Sequence, residues 1–133
     1  MSESPSFRFV CGAAALSGGR AGWAKEMLAD GEIALLRDDG GLDAIDAIAH
    51  ELDLVSVPVI RGERTCIEQE RTVIAYAASL PLVWVAPAFE DETRSWARDR
   101  GPMTLLIASA EPLTDDERRR IDRFVATLGR QSE

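Results

Sequence analysis

Five apolar runs of strand length punctuate the chain: FRFVC (7 to 11), EIALLR (32 to 37), DLVSVPVI (53 to 60), PLVWVA (81 to 86) and MTLLIAS (103 to 109). None alternates strictly between apolar and polar residues, so each predicts a strand covered on both faces. Helical periodicity follows every run. Trp23, Ala24, Met27 and Leu28 form one stripe, and Leu42, Ile45, Ile48, Ala49 and Leu52 a second. A third segment, about 66 to 79, carries Ile67, Val73, Ile74 and Ala77; a fourth, about 91 to 99, turns Trp96 and Ala97 inward. The fifth has the clearest limits, because Thr114 and Glu117 have capping-box spacing and Ile121, Phe124, Val125 and Leu128 recur ahead of Gly129. Arginines followed by Gly101 and Pro102 close the fourth.

Five β-α units in series predict an α/β fold: a three-layer, Rossmann-like domain with a five-stranded parallel sheet and helices on both faces. With 133 residues, 46% hydrophobic and 29% charged, the expectation is a single domain over 1–133, frayed at 1–5 and 130–133. Tryptophans at 84 and 96 are candidates for an exposed face in a homodimer, although helix packing accounts for both equally well.

Charge narrows the partners. A net charge of −8, with Lys25 the only lysine, repels nucleic-acid phosphates and anionic lipid, so neither nucleic acid nor membrane is expected as a partner. Cys11 and Cys66 have neither disulfide-framework nor zinc-site spacing, which suits a reducing compartment. The opening MSESPSFRFV has no basic segment leading into an apolar one, and no run is long enough to span a bilayer; a cytoplasmic protein is expected.

In a parallel sheet of this kind ligands bind at the carboxyl ends of the strands, beside the point where strand order reverses. That rule selects residues 11–19, 37–43, 61–65, 87–92 and 109–111. The first loop, CGAAALSGGRAG, is glycine-rich and leads into a helix, yet matches neither G-x-G-x-x-G nor the P-loop, so it reads as an anion-binding turn or a plain one. Cys11 at its start reads as a buried hydrophobe before a nucleophile. The second loop brings Asp38, Asp39 and Asp43, and the fourth Glu90, Asp91 and Glu92. Helix starts favour carboxylates without any ligand. Gathered round one crevice, however, they would repel a bare phosphate, so a ligand would bring a divalent cation such as Mg2+, with Asp38 and Asp39 as candidate ligands, carry a cationic group, or bind through ribose hydroxyls. His50, the only histidine, falls away from the mouth, leaving Glu70 on the third helix as the candidate for chemistry.

The segments RFVCG, IALLRDDGGLDAIDAIAHELDLVSVPV and ERTVIAYAASLPLVWVAPAFEDETRSWARDRGPMTLLI resemble the Rossmann-like SLOG superfamily over nearly the whole chain. That resemblance implies binding of a nucleotide or NAD derivative, with Gly12, Gly40, Gly41, Asp43, Arg71 and Pro87 as ligand-binding positions and Glu70 at the third-helix site. Asp38 and Asp39 stand at the family's double glycine, and AFEDE replaces the glycine-rich turn after Pro87, which implies an altered site or a non-catalytic module binding a protein partner. A weaker resemblance, carried by GWAKEML, LLRDDG and TCIEQE, is to TIR domains and implies NAD cleavage by Glu70 or Glu68. CGAAALSGG also resembles a phosphotransferase-system IIB loop with Cys11 as the phosphorylated residue. The two principal resemblances imply different sheets: Rossmann-like order sets the first strand beside the fourth, TIR order beside the third.

Overall fold

The computed structural model of the chain describes residues 6–16, 22–29, 31–36, 41–51, 59–60, 65–109 and 113–131. Within them the apolar runs become β1 (Phe7–Gly12), β2 (Gly31–Leu36), β3 (Val59–Ile60), β4 (Leu82–Ala86) and β5 (Thr104–Ala108), and the periodic segments become α1 (Trp23–Met27), α2 (Gly41–Glu51), α3 (Cys66–Ala77), α4 (Asp91–Arg100) and α5 (Asp115–Gln131). Every strand pairing is parallel, in the order β3-β2-β1-β4-β5. β1 therefore lies between β2 and β4, the Rossmann-like order, and not beside β3 as the TIR resemblance implies.

Alternate strand residues feed two cores. Phe7, Phe9 and Cys11 of β1 join Val83, Val85 and Ile107 beneath α1 and α5, with Ile48 of α2. Val10, Ala34, Leu82 and Trp84 face the opposite way, toward Val73 and Ala77 of α3 and the half-buried Trp96 of α4. Both faces are thus covered, giving the three layers, and right-handed crossovers account for α1 and α2 lying opposite α3 and α4. The capping box forms as its spacing predicts: Thr114 Oγ1 accepts from the Glu117 amide at 3.1 Å, and Glu117 Oε1 from the Thr114 amide at 2.9 Å. α4 ends at Gly101, whose φ of 65° suits glycine.

Of the two readings open for Trp84, packing holds: it is 1% exposed, because its strand has a neighbour on either side and helices above and below. Two expectations need correction. Ile67 does not join the buried stripe of α3 and is 46% exposed, since its turn starts at the carboxyl edge, where the sheet no longer runs beneath it. α5 does not stop before Gly129 but continues to Gln131, into the stretch expected to fray; a glycine inside a helix costs only about 1 kcal/mol relative to alanine.

At the amino edge, Arg8 of β1 packs over the Tyr76 ring, 4.6 Å from its centroid, and pairs with Glu32 of β2 at 3.3 Å. Burial pushes the Tyr76 phenol up to about 12; the Glu32 carboxylate adds to this and Arg8 opposes it. Because the folded state holds the proton more tightly, this contribution to stability is complete below the ordinary value of 10.0 and is lost as pH rises toward 12. Tyr76 is the only tyrosine. Its tyrosinate absorbance should therefore titrate near 12 in the native protein and near 10.0 in urea, and Tyr76→Phe should remove this part of the alkaline loss of stability.

Candidate functional site

The reversal of strand order falls between β1 and β4, so the candidate crevice lies beyond Gly12 and Ala86. On the β1 side the chain passes directly into a 3-10 turn, Ala13–Leu16, that packs against α2. The Leu113 amide donates to the Ala15 carbonyl at 3.1 Å, tying this turn to the start of α5. The glycine-rich loop thus begins as an anchored turn. The helix it leads to, α1, has five residues and is preceded by Gly22 with φ 83°, and so short a helix offers little dipole for an anion.

On the β4 side, Pro87 is exposed and Phe89 folds back to meet Trp84 edge-on, with ring centroids 5.0 Å apart. An aromatic pair therefore underlies the β4–α4 turn. Glu70 holds this turn from the neighbouring helix. Thr65 Oγ1 caps α3 by accepting from the Glu68 amide at 3.1 Å. One turn further, the 7%-exposed Glu70 reaches out, and its Oε1 accepts from the Glu90 amide at 3.0 Å. A buried carboxylate with a main-chain donor at the start of α4 ties α3 to the β4–α4 turn.

Several other candidates fall on this same edge. Gly12 closes β1 opposite Leu36, Gly41 is the first residue of α2, Asp43 is exposed in the first turn of α2, and Arg71 is exposed beside Glu70. Asp38, Asp39 and Gly40 lie outside the described residues. The structure brings Glu70 directly onto the Glu90 main chain; Arg71 and Glu68 point to solvent. Among the described residues, no three His, Cys, Asp or Glu side chains are grouped as a metal site would need. Cys11 is buried in the core and His50 is exposed on α2.

The contribution of Phe89 was not anticipated, and its signal in the sequence is only an aromatic residue within an acidic turn. For Glu70 the expected effects separate two roles. Glu70→Gln keeps an acceptor for the Glu90 amide and should cost little stability. Glu70→Ala leaves a main-chain donor unsatisfied and should cost about 2 kcal/mol in urea unfolding. Equal costs for the two variants would remove the hydrogen bond from this account.

No protein-family model, curated protein or solved structure matches the chain. Among the described residues no helix is long and apolar enough to cross a membrane.

Proposed function

We propose that this chain is a SLOG-like Rossmann domain that binds a nucleotide-derived small molecule at the carboxyl edge between β1 and β4. The observation that carries this reading is the β3-β2-β1-β4-β5 order, whose reversal between β1 and β4 is where sheets of this kind hold ligands. The exposed carboxylates around it, Asp43, Glu90, Asp91 and Glu92, define the chemistry. They favour a ligand held through ribose hydroxyls, or one whose phosphates arrive with Mg2+, over a bare phosphate. The departures from the SLOG glycine turns fit an altered specificity or a module that signals to a protein partner without turnover.

The rival reading is a TIR-like or nucleoside glycosidase using Glu70. It needs a carboxylate that meets substrate, whereas one oxygen of Glu70 is engaged by the main chain. Release of nicotinamide from NAD, abolished by Glu70→Gln in a folded protein, would favour this rival.

A thermal-shift series with NAD, ADP-ribose, AMP and nucleoside phosphates, with and without magnesium, tests the binding proposal. A ligand at one hundred times its Kd stabilises the native state by about 2.7 kcal/mol. At least one compound should raise the melting temperature, and the exposed-site variants Asp43→Asn and Arg71→Ala should reduce the shift. A melting point indifferent to the whole series would overturn the proposal.

A further inference from the structure

β5 is the last strand in the sheet order. Edge strands are usually blunted by charge, proline or a bulge, but TLLIA contains no charged residue or proline, and all five of its residues pair in continuous register with β4. A groove flanks the strand on each face. On one face, Arg94, Ala97 and Arg98 of α4 wall a space of about 320 Å³ above Thr104 and Leu106. On the other, Arg120, Arg123 and Phe124 of α5 wall about 420 Å³ beside Leu105. Leu105 and Leu106 are only partly covered.

Both helices run antiparallel to β5, and each is charged unevenly along its length. α4 has Asp91 and Glu92 in its first turn and Arg98 in its last, where Asp99 also lies and Arg100 is engaged by the Leu80 carbonyl and the Trp96 ring. α5 starts with Asp115, Asp116 and Glu117, the first two paired within the helix to Arg118 and Arg119, and presents Arg120 and Arg123 further on. A two-fold axis normal to the sheet at β5 would pair the strand with itself in antiparallel fashion. The same axis lays α4 along the second copy's α4, with Asp91 and Glu92 of one beside Arg98 of the other, and α5 along its α5. Parallel stacking of edges would bring like charges together instead.

We infer that β5 is the pairing edge of a two-fold homodimer, in which the sheets of two copies join and the helices of each fill the arginine-walled grooves of the other. The interface is self-complementary in hydrogen bonding, apolar cover and charge, as an isologous contact requires. The strand pairing itself lies at the opposite border of β4 from the β1–β4 crevice, and only the acidic first turn of α4 is common to the two regions.

Sedimentation of the full chain over a range of concentrations tests the inference. The expected mass is about 29 kDa, twice the chain's 14.5 kDa. Ala108 is exposed at the end of β5 and Arg98 is exposed on α4. Ala108→Lys and Arg98→Glu should each weaken association by on the order of tenfold or more, since each acts twice by symmetry, with circular dichroism unchanged. Combining Asp91→Arg with Arg98→Glu exchanges the charges and should restore the dimer. A chain that stays monomeric throughout, a dimer indifferent to both single substitutions, or a charge exchange that restores nothing overturns the inference.

Discussion

Trp84→Ala should lower the unfolding free energy by about 3–5 kcal/mol, the range for removing a large aromatic side chain from a packed interior. Trp84 is the largest fully buried side chain, at 1% exposure, and belongs to the core under α3 and α4. Its loss reaches the crevice as well, because Phe89 rests edge-on against it at the start of the β4–α4 turn. Trp84→Phe should be far milder, below about 1.5 kcal/mol, since it keeps the aromatic contact. It also removes the indole N–H, which is buried without an acceptor among the described residues. Urea midpoints for the two variants provide the check. A cost below about 1 kcal/mol for the alanine variant would mean the site collapses freely, against the packing described.

Gly31→Ala should destabilise by about 3 kcal/mol, at the upper end for overpacking. Gly31 opens β2 directly opposite Phe7, and a Cβ built there would come within 2.4 Å of the Phe7 ring. The ring cannot move aside, because Phe7 is 1% exposed in the core under α1 and α5. Pairing Gly31→Ala with Phe7→Leu should therefore cost less than the sum of the single changes, by about 1 kcal/mol or more. Strict additivity in a double-mutant cycle would show that the clash is relieved elsewhere.

The elements were legible where a single local signal decided them. β4 and β5 are uninterrupted apolar runs, and α5 announces its start through Thr114 and Glu117. The β-α repetition predicts parallel strands but not their order, because order depends on which way each crossover turns across the sheet. Periodicity identified the face of α3 correctly for Val73 and Ala77 but not the depth of Ile67, since a stripe carries no mark of where the sheet beneath it ends. Trp84 stayed open between core and interface for a related reason: tryptophan is chemically suited to both, and only the flanking strands decide.

The candidate site was legible as an edge more than as a set of contacts. Gly12, Asp43 and Pro87 could be assigned to the carboxyl ends of strands from element order alone. Glu70 could be singled out as a glutamate on α3, but its partner is a main-chain amide twenty residues further along. No side-chain pattern encodes such a bond. It arises only once α3 and the β4–α4 turn are packed side by side.

The central place of β1 also affects how the protein is made. β1 is synthesised before either neighbour and needs β2 on one side and β4 on the other, as Phe9 shows by aligning with both Ile33 and Val83. Until β4 has been synthesised, one border of β1 stays open and the nascent half-sheet cannot bury its apolar surface. Folding must then wait on a long-range pairing, with a slower rate and a longer exposure to misassembly than a chain whose neighbouring strands pair in sequence.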